Sequence, residues 1–161
     1  MPAILNPYLS FRDNAREAMN FYQSVFGGEL TISTFGEFQP EETGADLSGE
    51  HGQLDPDKVM HAMLVAGSGL VLMGADTPPG MPYTQGSSIS VSLSGDDESE
   101  LRAYWDRLAD GAAVAVPLEK APWGDTFGML TDRFGTAWLV NITGSAEGDG
   151  GAGDGGEAPG A

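Results

Sequence analysis

The 161-residue chain contains no cysteine. That excludes disulfides, thiolate nucleophiles and cysteine-bound zinc together. Basic residues are nearly as scarce: seven Lys and Arg stand against twenty-four Asp and Glu, a formal net charge of −17. A nucleic-acid duplex or an anionic membrane surface would be repelled, so neither is expected as a partner. The acidity reads first as a solubility device and second as an attraction for cationic ligands. Apolar residues make up 40% of the chain, enough for a core, yet no apolar run is long enough to span a membrane. The opening "MPAILNPYLSF" has no basic stretch followed by a long apolar one, so no secretory signal is expected and a cytoplasmic location is the default. P-loop, Rossmann glycine, His-Glu-x-x-His and Ser-His-Asp patterns are all absent.

What is present divides the chain in two. From Gly144 onward it holds only Gly, Ala, Ser, Pro and four acids, which predicts a disordered acidic tail over 144–161 and a folded domain over 1–143. Within the domain, "NPYLSF" alternates as a strand. "DNAREAMNFYQSVFGG" carries helical spacing, with Asp13 or Asn14 as N-cap and a Gly27-Gly28 stop. "ELTISTF" reads as a strand, and a long polar loop after it suggests a lid or insertion. "KVMHAMLVAGSGLVLMGAD" reads as a hairpin turning on Gly67-Ser68-Gly69. After a Pro- and Gly-rich bridge the series repeats: strand "SSISVSLSG", helix "DDESELRAYWDRLADGA", strand "AVAVPLEK", and a last hairpin "FGMLTDRFGTAWLVN". The modules are about 1–76 and 86–143. Phe21-Tyr22 and Tyr104-Trp105 are matching aromatic pairs in the two helices.

Two tandem βαβββ modules are the plan of the vicinal-oxygen-chelate superfamily, the glyoxalase, bleomycin-resistance and dioxygenase proteins. "NPYLSFRDNAREAMNFYQSVFGGEL", "STFGEF", "MHAMLVAGSGLVLMGAD" and "APWGDTFGMLTDRFGTAWLVN" resemble its PhnB-like, 3-demethylubiquinone-methyltransferase-like branch over residues 3–143. The resemblance implies an α+β fold in which two βαβββ modules form a curved mixed sheet around a cleft, usually in a homodimer. It does not imply one chemistry.

Metal-dependent members of that superfamily hold a divalent ion with four His or Glu ligands on the concave sheet. The resemblance carries those positions to Asn6, Ser88, at or near Leu72, and Leu139. Asn and Ser are feeble ligands and Leu is none, so no metal ligands and no cofactor are predicted, a divalent ion remaining possible only at an atypical site.

Alternation places Leu9, Phe11, Val91 and Leu93 against the helices and Asn6, Tyr8, Ser10, Ser88, Ser90 and Ser92 toward the cleft. The candidate ligand-binding residues are Tyr8, Ser88, Ser90, Trp123 and Phe127, hydroxyls and aromatic surface for a small organic molecule. Trp138 shares its parity with Val140 and is expected in the core. Glu37, between Phe35 and Phe38, and His61, on a strand, are the candidate catalytic pair. The leading expectation is a homodimeric small-molecule-binding protein without the usual metal site. The alternative is a lyase, isomerase or transferase using Glu37 and His61.

Overall fold

The computed structural model describes residues 2–38 and 55–144. The polar loop with His51, and the tail from 145, lie outside the described residues.

The chain order is β1 (Tyr8–Phe11), α1 (Ala15–Phe26), β2 (Glu29–Thr34), β3 (Val59–Ala66), β4 (Leu70–Asp76), β5 (Val91–Gly95), α2 (Glu98–Ala109), β6 (Ala113–Lys120), β7 (Thr126–Thr131) and β8 (Ala137–Ile142). Strand, helix, strand, strand, strand thus occurs twice, and the pairing repeats with it. The first sheet runs β1-β4-β3-β2 and the second β5-β8-β7-β6, each with one parallel pair at its first strand. The architecture is α+β, each module supplying its own four-stranded mixed sheet.

Helix α1 buries Ala15, Ala18, Met19, Tyr22 and Val25, one stripe at helical spacing laid on Phe11, Leu64 and Leu72. Its N-terminus differs from expectation. Asn14 holds the N-cap position but makes no side-chain capping bond. The orphan N–H of Ala15 donates instead to Asp76 Oδ1 at 3.0 Å, while Asp76 Oδ2 accepts from Val59 N at 2.9 Å. One buried carboxylate at the end of β4 therefore caps the helix and ties it to β3. At the other end Gly27 and Gly28 have φ of 71° and 86°, and a Cβ on Gly28 would strike the Val65 carbonyl. Only glycine serves both the turn and that close approach.

Helix α2 is capped as its sequence suggests: Asp97 accepts from Glu100 N at 3.0 Å, with Glu98 and Glu100 in the first turn. It buries Leu101, Trp105 and Leu108. Trp105 lies over Gly128, where an added Cβ would come within 2.8 Å of the indole.

The modules meet through their helices and the β7–β8 hairpin. Arg107 of α2 donates to the carbonyl of Val25 near the end of α1 (3.0 Å). Phe26 packs on Trp138 with ring centroids 5.6 Å apart, and Tyr22 reaches Asp132 in the hairpin turn. The helix-side faces are thus covered by helices and partner module, and the opposite face of each sheet is open.

Candidate functional site

The open face of the first module can be read as a grid from the strand register. Tyr8, Met73, Met63 and Thr31 lie in one row across β1, β4, β3 and β2. In the next row Ser10 pairs with Ala75, and His61 pairs with Ser33. All have the parity opposite to Phe11, Ala62, Leu64 and Leu72, which are buried on the helix side. Ala75 is the small member of its row. The Tyr8 hydroxyl stands 3.4 Å from His61 Nδ1, the rings 5.7 Å apart.

Burial pushes the Tyr8 phenol above its ordinary range, so it is protonated at neutral pH. A protonated phenol donates to Nδ1 only when that nitrogen carries no proton. In the other tautomer the phenol oxygen accepts from Nδ1–H, so the contact pairs the two side chains in either form.

A cavity of about 410 Å³ lies against this grid. Tyr8, Ser10 and Ala75 form one side, Phe35 and Met60 another, and the bridge with Met81 and Tyr83 a third. Arg12 fixes that bridge: its guanidinium donates to the Met81 carbonyl at 3.2 Å and lies 5.1 Å over the Tyr83 ring. The cavity mixes hydroxyls, aromatic rings and thioethers, a lining suited to an organic molecule with an apolar body and one or two polar groups.

The other candidates are placed as follows. Glu37 is exposed in a 3-10 turn, and its carboxylate folds back to accept from Thr34 N at 3.3 Å. No hydrogen bond joins it to His61 among the described residues. Ser88 and Ser90 are exposed and precede β5, which begins at Val91 rather than at residue 87. Trp123 is 67% exposed in the β6–β7 turn, its ring 6.3 Å from Phe127 on the open face of the second module. Tyr8 and His61 thus stand together on the first open face and Phe127 on the second, while Glu37, Ser88 and Ser90 lie outside the strands.

The positions expected for metal ligands have the wrong chemistry and, in one case, the wrong direction. Leu72 is a correction: paired with Leu64 and 6% exposed, it points into the core, and Met73 is its neighbour on the open face. Leu139 is on the open face of the second sheet, Ser88 lies outside β5, and Asn6 precedes β1. Among the described residues no three His, Asp or Glu side chains are grouped to hold an ion. The donor set does not fit the superfamily's usual metal centre.

Sequence reading missed Asp132. It is 4% exposed, and its carboxylate accepts from Tyr22 Oη (2.6 Å), Trp138 Nε1 (2.8 Å), Phe134 N (2.8 Å) and Thr136 N (3.0 Å). The available signal was a buried-parity Trp and a helix-face Tyr, each needing a polar partner.

The matching family model covers residues 4–140 and is that of the Glyoxalase/Bleomycin resistance protein/Dioxygenase superfamily. The chain belongs to this superfamily. It is 30% identical over 141 residues to Protein YjdN of Escherichia coli K12, covering 86% of this chain and 94% of that protein. Among solved structures, PA1353 of Pseudomonas aeruginosa shares 37% identity at a TM-score of 0.72, covering 89% of this chain and all of that one (100%). The PhnB protein of Bacillus cereus shares 26% identity at a TM-score of 0.65, with 88% and 100% covered. Membership explains the repeated βαβββ plan. It leaves the chemistry to the residues of the open face, because the superfamily's fold carries many activities.

Proposed function

We propose that this superfamily member binds a small organic molecule on the open face of its first module, without the usual metal, as a cytoplasmic homodimer. The observation that carries this reading is the 410 Å³ cavity over Ala75, with the Tyr8 hydroxyl, Ser10 and the aromatic and methionine side chains around it. The ligand's apolar body lies against Phe35, Met60 and Met81, and its polar group addresses Tyr8 and Ser10.

Surface chemistry supports the dimer. Met63 and Val65 on one open face, and Val114 and Val116 of the second module, are exposed at 36–46%. A second copy that lays its second module over the first module of its partner buries both sets. It also brings Trp123 and Phe127 toward Tyr8, completing the lining.

Filling the space tests the site. Ala75→Met is expected to abolish capture of any small molecule that co-purifies with the wild-type protein, with the fold retained by circular dichroism. Retention of the same molecule at wild-type occupancy would move the site elsewhere.

An acid–base reading is favoured by one observation, the 3.4 Å approach of Tyr8 to His61. It assigns the work to Tyr8 and His61 and leaves Glu37, bonded to its own turn, as a structural acid. A turnover assay on a captured ligand, with His61→Asn as control, separates catalysis from binding.

A further inference from the structure

A second cavity, of about 240 Å³, lies between the modules and shares no residue with the first. Leu64 and Leu72, cross-strand partners of the first sheet, form one wall. Leu93 of β5 and Trp138 of β8 form the opposite one, and Phe26 closes the end. We infer that this inter-module cavity is a separate binding site for a neutral aromatic molecule of two fused rings bearing one hydrogen-bonding group.

Charge decides the first part of that assignment. Among the described residues no acid and no base lines the cavity. A charged ligand would lose hydration there with no counter-charge to replace it. Asn6 and Ser92 are the lining side chains with an uncommitted polar group, and they are half-buried and exposed respectively. The lining Trp138 has spent its indole N–H on Asp132, and the Pro7 carbonyl has accepted the Met73 N–H. Two polar side chains beside an otherwise apolar set of side chains fit a ligand with one polar group at its edge.

Aromatic walls decide the second part. Phe26 is held by Tyr104 at 4.9 Å between centroids and by Trp138 at 5.6 Å, so both rings are fixed before any ligand arrives. Fixed rings favour an aromatic guest, through edge-to-face or offset contacts, over a flexible acyl chain. Size decides the third. An apolar cavity of ~150 Å³ accepts benzene, and this one has room for a second fused ring. The walls cannot close on the space. Leu64 and Leu72 sit on a hydrogen-bonded ladder, and Asp132 anchors Trp138.

Indole is the probe. Titrated into the full chain with labelled leucine, valine and methionine methyls, it is expected to give saturable shifts at Leu64, Leu72, Val91 and Leu93, and to raise Tm. Indole-3-acetate, its carboxylate analogue, is expected to bind at least tenfold more weakly. Val91→Phe, which fills the half-buried edge of the cavity, removes the indole-induced shifts; Ala66→Leu serves the same purpose should the first variant fold poorly. Absence of saturation up to the solubility limit of indole would overturn the inference. So would shifts confined to Met60 and Met81 of the first cavity, equal affinity for the carboxylate analogue, or unchanged binding by a folded cavity-filled variant.

Discussion

Tyr22 and Asp132 stand 110 residues apart in sequence and share a 2.6 Å hydrogen bond between the two modules. Tyr22 is fully buried, and Thr136 Oγ1 lies 3.0 Å from the same hydroxyl. Asp132 also holds the Trp138 indole and two N–H groups of its own turn. This carboxylate is the polar centre of the contact between modules. Asp132→Ala would leave those buried donors without a partner, so a loss on the order of 3 kcal/mol or more is expected, read by urea denaturation. Tyr22→Phe removes one donor alone and is expected to cost about 1 kcal/mol.

The same pair predicts a pH dependence. The Tyr22 phenol is pushed far above its ordinary range, chiefly by burial and next by the charge of Asp132. A raised folded value means that its contribution is complete below the unfolded pKa of about 10 and is lost as pH rises above it. The stability advantage of wild type over Tyr22→Phe should therefore be constant from neutral pH to about 10 and shrink beyond that. Tyr8 is raised and Tyr104 is pushed up to about 12, but both are common to the two proteins and cancel. Denaturation series at pH 7, 9 and 11 measure the difference directly.

The domain's helices and most strand faces were legible in the residues. Helical spacing marked α1 and α2, and alternation put Phe11 and Leu93 inside and Tyr8 and Ser92 outside. β4 was not legible in this way. "LVLMGAD" is nearly continuous in apolar residues, so nothing in the pattern distinguishes Leu72 from Met73 as the open-face residue. Ser88 and Ser90 extend the alternation of β5 ahead of Val91, where its pairing with β8 begins. Asp132 looked like an ordinary turn residue because its partners on α1 and β8 are joined to it only by the fold. Asp76 escaped for the same reason: the N–H it caps lies 61 residues earlier.

Asp76 gives a second stability prediction. With both oxygens bonded to buried N–H groups, Asp76→Ala should cost about 2–3 kcal/mol. Hydrogen exchange at Ala15 and Val59 is the diagnostic readout, since a general loosening would not single out those two amides. Asn14→Ala, at a position with no capping bond, should cost much less.

Tyr8→Phe tests the contact between phenol and imidazole. It removes the hydroxyl 3.4 Å from His61 Nδ1. The nitrogen chemical shift of His61 Nδ1 should change by more than that of Nε2. Unchanged shifts would mean that the phenol does not orient the ring.

The central claim is a metal-free small-molecule site completed in a dimer. Native mass spectrometry with elemental analysis addresses it most directly, on protein purified without chelators and without a metal-binding tag. A dimer free of stoichiometric metal that retains an organic molecule, lost in Ala75→Met, is the predicted result. One divalent ion per chain would contradict the account and assign the open face to metal chemistry built on different ligands.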